Sequence, residues 1–190
     1  AGLAALRGDL RSFTFGVLGG AAITGSGWHA VLAGLVGGAL KTLELGCILT
    51  DDSAAGIGLG LARLAGSLEE LRLSYSSEVT ADGWRALAAG LPSGRAILSL
   101  EFASGCDSDE KAAEVGEKLA CLARHLKAAT FEGGNMIDRN GRRSRGCSTL
   151  TAAGWASALR GLAAASVQEV SIPYGAWCGE AEGGKAGAIG

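Results

Sequence analysis

The sequence predicts an α/β solenoid in which short parallel strands alternate with amphipathic helices, and two observations lead to this prediction. The first is a motif that occurs three times, at residues 23–28, 79–84 and 150–155, and that reads apolar, Thr, two small or polar residues, Gly, Trp. The second is an apolar pattern typical of strands, which recurs at a nearly constant interval. A short unit that recurs in this way cannot bury its apolar face alone, whereas stacked units can.

The strand pattern places apolar residues at i, i+3 and i+5, and Leu40, Leu43 and Leu45 are an example. The last two positions alternate with a polar or small residue, which predicts a strand. The six predicted strands start at Leu10, Leu40, Leu68, Ile97, Leu126 and Val167. Successive starts are 30, 28, 29, 29 and 41 residues apart, so one unit contains about 12 additional residues.

The stretches between these strands have the spacing of helices. Trp28, Val31 and Leu35 fall at i, i+3 and i+7, and the stretches that begin at Trp84 and Trp155 repeat this spacing. Such spacing gives each helix one apolar stripe. The three tryptophans are therefore predicted to be core residues rather than part of a ligand site.

Helix boundaries are predicted from capping residues. Thr24, Thr80 and Thr151 each precede a Trp by four residues and suit the N-cap position. Ser53 takes the equivalent place in the second unit, and the fourth helix is expected to begin near Ser108. The acidic residues that suit a helix start, where the dipole favours negative charge, are Asp51, Asp52 and Asp82. The glycines predicted to form left-handed helix ends are Gly37, Gly38, Gly66, Gly90 and Gly94.

The patterns Leu40-x-x-Leu43-x-Leu45 and Leu68-x-x-Leu71-x-Leu73, followed by Thr-x-x-Gly and an amphipathic helix, resemble leucine-rich repeats. The period and the full helix are similar to the ribonuclease-inhibitor-like subclass, over residues 3 to about 173. The resemblance implies a right-handed superhelix with a parallel sheet on the concave side and helices on the convex side. The family usually places Asn or Cys eight residues after the first strand Leu, whereas this chain has Leu18, Ile48, Ser76, Gly105 and Gly134.

The repeat array is predicted to span residues 1–178, as about five to six repeats that are partial at both ends. Leu3 and Leu6 have the spacing to the first strand that a preceding helix would have, so residues 1–8 are expected to be the end of an earlier repeat. The array would then continue upstream or dock on another protein. The Gly/Ala-rich residues 179–190 are predicted to be a flexible tail.

Composition excludes several functional classes. The net charge of -2 gives no overall attraction to nucleic acid or to an anionic membrane. The 5 cysteines contain no CxxC pair, which favours free thiols in a reducing compartment over a disulfide framework. No apolar run is long enough to predict a transmembrane segment. We therefore expect an intracellular protein, either cytoplasmic or organellar.

A basic loop at residues 132–148 accounts for the long step between the last two strands. Its candidate binding residues are Arg139, Arg142, Arg143 and Arg145. Such a loop can grip an acidic protein surface, a phosphate or RNA, or it can be a solvated insertion without a binding role. Nucleic acid is the weaker candidate because no aromatic residue is interleaved with the arginines.

A second candidate site lies on the sheet, at one exposed mid-strand position per strand. These positions are Thr14, Glu44, Arg72, Glu101, Thr130 and Ser171. Because adjacent strands lie about 4.8 Å apart, Glu44, Arg72 and Glu101 are expected to form one row of alternating charge. The row is either a strip that binds a partner on the concave face or a set of surface ion pairs that compensate one another.

No phosphate-binding loop or nucleophile elbow is present, and Cys121 with His125 would supply only two metal ligands. We therefore expect no catalytic residue, metal or cofactor. The leading hypothesis is a non-catalytic protein–protein interaction module that serves as a stoichiometric subunit of a larger complex. The resemblance also implies one alternative, a regulator of an enzyme similar to GTPase activators that use an arginine such as Arg142 or Arg143. A weaker alternative, suggested by the basic loop itself, is a subunit that contacts RNA through that loop.

Overall fold

Strands and helices alternate along the computed structural model of the chain. The described residues are 10–16, 23–46, 49–64, 66–74, 76–93, 95, 97–102, 108–131, 135–137, 143–145, 150–163 and 167–172. The elements are β1 (Ser12–Gly16), α1 (Gly25–Leu35), β2 (Thr42–Gly46), α2 (Asp51–Leu64), β3 (Glu70–Ser74), α3 (Ala81–Ala89), β4 (Leu98–Phe102), α4 (Asp109–Leu122), β5 (Leu126–Phe131), β6 (Asn135–Ile137), β7 (Arg143–Arg145), α5 (Ala152–Arg160) and β8 (Glu169–Ser171).

Six strands form a single open sheet in the order β1-β2-β3-β4-β5-β8. Every neighbouring pair in it is parallel. Each helix packs against the next one along the chain, so the helices form a second layer. The prediction of an α/β fold with six parallel strands that alternate with helices is confirmed, and this arrangement is compatible with a solenoid.

The core lies between the sheet and the helix layer. Inward-facing strand residues such as Leu43 and Leu71 are fully buried. Trp28, Trp84 and Trp155 are 2%, 0% and 3% exposed, which confirms that they are core residues. The ring of Trp155 meets Phe131 of β5 edge-on at 5.4 Å and so ties a helix to the sheet.

The predicted threonine caps are confirmed. Thr24, Thr80 and Thr151 each accept a hydrogen bond from the amide three residues later, at 3.2, 3.4 and 3.2 Å. The prediction that Ser53 is a cap is wrong, because α2 begins at Asp51 and Ser53 lies in its first turn. Thr50 and Ser53 instead exchange hydrogen bonds: each hydroxyl oxygen accepts from the other residue's amide, at 2.7 and 3.3 Å.

The glycine caps are confirmed at one position only. Gly37 has a φ of +85°, and it is the one residue with a positive φ in the described part of the chain. The left-handed conformations predicted for Gly38, Gly66 and Gly90 are therefore wrong, and Gly94 lies outside the described residues. Gly90 ends α3 at a φ of -86°, which other residues can also adopt. A glycine is needed here because the backbone of the neighbouring helix lies too close for a side chain.

The insertion between β5 and α5 contains a feature that the sequence did not predict. The short strands β6 and β7 pair antiparallel and form a separate two-stranded sheet. Arg143 and Arg145 lie in β7, where the backbone alone is described. Arg139 and Arg142 lie outside the described residues, as do residues 1–8 and 179–190.

Candidate binding face

The outer face of the sheet is the side opposite the helix layer. Side chains alternate along each strand: Leu43 and Leu45 point into the core, while Glu44 between them is only half-buried. The same alternation holds in β3, where Leu71 and Leu73 flank the exposed Arg72. Arg72 of β3 and Glu101 of β4 are exposed on this face within the described residues.

The predicted charge row is divided between two rows of the outer face. Thr14 pairs with Glu44, and Glu44 pairs with Arg72, as expected. Arg72 then pairs with Ser99, whereas Glu101 pairs with Ser74. The prediction of one continuous row through Glu101 is therefore wrong.

A change of register explains this difference. Leu71 of β3 pairs with Leu98, although the repeat spacing places it opposite Leu100. Between β4 and β5 the register shifts at Leu98 and Ser99. Beyond this shift Phe102 pairs with Phe131, as the repeat spacing predicts. The first row accordingly continues through Ser99, Ala128 and Glu169, and the second contains Ser74, Glu101, Thr130 and Ser171.

A depression of about 310 Å³ lies in the outer face and extends across β2, β3, β4, β5 and β8. Its charged lining consists of Glu44, Glu70, Arg72, Glu101 and Glu169. Small side chains from Ser99, Ala128 and Thr130 line the space between them. Thr14 and Ser171 are exposed on the same face but do not line the depression.

The sequence prediction missed Glu70 and Glu169, which lie two residues before the positions it selected in their strands. The sequence does contain the signal for these two residues, because alternate residues of a strand share a face. The prediction had taken only one exposed position from each strand.

Arg72 is held by the carboxylate of Glu70 on the same strand. Its Nε donates to Glu70 Oε1 at 3.1 Å. This hydrogen bond and the charge of Glu70 raise the pKa of Arg72, and the charge of Glu44 adds to the effect. Arg72 therefore remains protonated, and its charge is compensated by Glu70. With four carboxylates and one guanidinium, the lining has a net negative formal charge.

The helix side explains the motif that repeats through the chain. The carboxylate of Asp51 in α2 accepts hydrogen bonds from both the amide and the hydroxyl of Thr80, at 2.8 Å each. Asp109 in α4 binds the amide of Thr151 at 3.0 Å and also accepts from its hydroxyl. We call this arrangement the Asp–Thr clamp. It connects a helix to the cap residue of the next helix.

The Gly of the motif makes room for the clamp. A Cβ atom on Gly83 would lie 2.1 Å from Asp51 Oδ1, and one on Gly154 would lie 2.0 Å from Asp109 Oδ1. The Thr therefore caps its own helix and donates hydrogen bonds to the Asp of the preceding helix. The Gly leaves space for that carboxylate, and the Trp packs in the core. In the junction between α1 and α2 the direction is reversed, since Asp52 of α2 accepts from the amide of Gly25 at 2.6 Å.

Glycines also bring neighbouring helices into backbone contact. A Cβ atom on Gly56 would lie 2.0 Å from the carbonyl oxygen of Gly25, and one on Gly90 would lie 1.8 Å from that of Gly58. A Cβ atom on Gly161 would lie 2.0 Å from the carbonyl oxygen of Gly116. These distances leave no room for a side chain at three of the four helix junctions.

The junction between α3 and α4 is built differently. Lys118 of α4 is only 4% exposed, and its ammonium donates to the backbone oxygen of Ser77 at 3.1 Å, ahead of α3. It also forms an ion pair with Glu114 at 2.6 Å. At this junction a buried lysine connects the two units, whereas glycine and aspartate make the contacts at the other junctions.

The remaining candidate chemistry concerns metals and membranes. Cys121 is half-buried, and its Sγ donates to the backbone oxygen of Glu117 at 3.4 Å. Within the described ranges, no three His, Cys, Asp or Glu residues are placed so that they could hold a metal ion. No helix in the described part of the chain has the length and apolar character needed to cross a membrane.

Comparison with known proteins identifies no relative: no family model matches the chain, and no curated protein is significantly similar to it.

Proposed function

We propose that this chain is a non-catalytic protein–protein interaction module of the leucine-rich-repeat class, and that its outer face is the surface that binds another protein. The repeat period, the Leu pattern of the strands and the stacked strand–helix units support the class assignment. In this proposal the chain is an intracellular protein that acts within a larger assembly.

One observation carries the proposal: the depression in the outer face is formed jointly by five strands. A surface that several repeats build together is broad enough for a macromolecule, and its shape depends on correct stacking of the array. Charged and polar residues make up 8 of the 13 residues that line it, and a polar rim is typical of transient interfaces. No observation favours the alternative roles in enzyme regulation or RNA binding, since Arg139 and Arg142 lie outside the described residues.

A steric block tests the face without changing its charge. Ala128 lies half-buried in the depression, so Ala128→Trp is expected to fill it and abolish partner binding. Ala62→Trp places the same side chain on the exposed side of α2 and serves as the control. Affinity capture with quantitative mass spectrometry, followed by calorimetry on the purified partner, measures both variants. Equal partner binding by both would contradict the assignment of the outer face.

A further inference from the structure

The array has two flanks, and the described charges are divided between them. Because each helix runs back between two parallel strands, the carboxyl ends of the strands and the first turns of the helices lie on one flank. The last turns of the helices and the amino ends of the strands lie on the other. In the three central units, which are β2–α2, β3–α3 and β4–α4, the first flank is mainly negative and the second mainly positive within the described residues.

The first flank, which we call the acidic flank, carries carboxylates that form no ion pair within the described residues. They are Asp51, Asp52, Glu78, Asp109 and Glu110. Asp82 and the cation Lys111 also lie here, and Asp82 is paired with Arg85. The insertion that contains β6 and β7 follows β5, so it joins this flank at the fifth unit, after the three acidic units in chain order.

The opposite flank, which we call the basic flank, carries one exposed arginine in each of the three central units. Arg63 lies in the last turn of α2, Arg95 in the connection before β4 and Arg124 in the connection before β5. None of the three forms an ion pair in the part of the chain that the structure describes. Glu69 lies on the same flank and is paired with Lys41. Its pKa is lowered first by Lys41 and then by the charge of Arg95, which places Arg95 close to it.

Helix dipoles explain part of this division but not all of it. An acid in the first turn or a base in the last turn stabilises a helix without any partner, and this accounts for Glu110 and Arg63. Glu78 lies two residues before the N-cap residue of α3, and Arg95 lies five residues beyond its C-cap residue. The dipole effect falls off within one turn, so it does not account for either charge.

The two flanks match each other in spacing because the same three units build both. A copy displaced sideways, without rotation, sets each arginine of its basic flank opposite the carboxylates of the same unit in its neighbour. Curvature does not disturb this match, since both flanks belong to one array. A two-fold pairing would instead bring two flanks of like charge together, and these repel each other.

We infer that the partner of the basic flank is the acidic flank of a second copy of this chain, so that copies stack flank to flank in a head-to-tail manner. Arginine suits this contact because its planar guanidinium can bind a carboxylate through two parallel hydrogen bonds. A head-to-tail contact leaves one flank free at each end of the stack, so further copies add as the concentration rises. The contact does not use the outer face of the sheet, so the inference does not depend on the proposed function.

Sedimentation equilibrium of the full chain tests the association. We expect species larger than the monomer, growing with concentration, at about 0.01 M salt, where the Debye length is about 30 Å. At about 0.15 M salt the Debye length is about 8 Å, and we expect the association to weaken about tenfold. Ala128→Trp, which fills the depression of the outer face, should associate like the unaltered chain. A monomer at every concentration in low salt overturns the inference.

Two charge-removal variants test the head-to-tail direction. The basic-flank variant carries Arg95→Gln and Arg124→Gln. The acidic-flank variant carries Glu78→Gln and Glu110→Gln, and the clamp aspartates are kept because they hold neighbouring helices. Each variant alone should associate about tenfold more weakly than the unaltered chain. An equimolar mixture should form a one-to-one dimer at the unaltered strength, since each variant supplies the flank that the other lacks.

Control variants remove the same charge from other surfaces. One carries Arg72→Gln and Lys127→Gln, and the other carries Glu44→Gln and Glu169→Gln. Both should associate like the unaltered chain, which separates a contact between flanks from an effect of net charge. Association of either flank variant at the unaltered strength overturns the inference, and so does a mixture that associates no better than its components.

Discussion

The junction between α4 and α5 and the junction between α3 and α4 solve the same packing problem in different ways. At the first, Asp109 begins its helix and clamps Thr151, and the two helices touch through Gly116 and Gly161. At the second, Ala81 takes the first helical position, and the buried Lys118 connects α4 to the loop before α3. The residue at the first position of a helix therefore decides whether that helix can clamp the next one.

The same rule holds for the other two junctions. α2 begins with Asp51 and clamps Thr80, whereas α1 begins with Gly25 and does not clamp α2. Clamped and unclamped junctions thus alternate along the array. The two kinds depend on different interactions, so they should respond differently to substitution.

The largest effect is expected at the glycine contacts. Gly90→Ala places a methyl group where the carbonyl oxygen of Gly58 stands, so α2 and α3 must move apart. We expect a loss of about 3 kcal/mol in the free energy of unfolding, measured by urea denaturation. Gly66→Ala is the control, because its Cβ would meet nothing within 4 Å. It should leave stability unchanged or raise it by up to about 1 kcal/mol. A neutral Gly90→Ala would mean that the helices are less closely packed than described.

The clamp itself is tested by removing its carboxylate. Asp109→Ala deletes two hydrogen bonds to a charged acceptor, and we expect it to destabilise the fold by about 2 kcal/mol. Asp51→Ala should do the same at its own junction. Asp82→Ala is the control: it lies in the first turn of α3, but its partner is the exposed Arg85 of the same helix.

The control variant Asp82→Ala should lower the free energy of unfolding by no more than about 0.5 kcal/mol. Equal losses in all three variants would show that the aspartates act only on the helix dipole. For Asp51 and Asp82, that is the interpretation which the sequence positions alone suggest.

The unclamped junction is tested at its buried lysine. Lys118→Met keeps the aliphatic stem but removes the donor to the Ser77 carbonyl, and we expect a loss of about 1 kcal/mol. The exposed Lys111 of the same helix provides the control, Lys111→Met. Calorimetric unfolding compares the two. If Lys118→Met were the more stable protein, the cost of burying the ammonium would outweigh its hydrogen bonds.

The smallest effect is expected at an exposed contact between repeats. The Lys41 ammonium donates to Glu69, and this bond and its charge hold the pKa of Glu69 below the usual range. Because the folded-state pKa of Glu69 is lowered, the stability that the ion pair contributes is fully present above the unfolded-state pKa of this carboxyl. That contribution is lost as the pH falls through the folded-state pKa. Lys41→Met should return the pKa of Glu69 towards its ordinary value in a carboxyl NMR titration. An unchanged titration would show that the ion pair does not persist in solution.

The alternation of strands and helices, the Trp core and the threonine caps could be predicted because each follows from spacing within one unit. The clamps could not be predicted in this way, since Asp51 and Thr80 come from different units. A signal was nevertheless present: an Asp directly after a cap residue, followed in the next unit by Thr-x-x-Gly.

The binding face was only partly predictable. Its strands and most of its exposed residues followed from the period, but the pairing of Arg72 with Ser99 depends on how the β3–β4 connection aligns the strands. The strands β6 and β7 were missed because each has only three residues, too few to show an alternating pattern.

The glycine contacts also have a consequence for curvature. Solenoids bend because helix axes in one layer usually lie about 8 to 10 Å apart, while strands in the other layer lie about 4.8 Å apart. Where backbones meet at glycine, the helix layer is narrower, and the mismatch between the layers shrinks. On this physical argument, an array with glycine at these contacts bends less than one with leucine in the same positions.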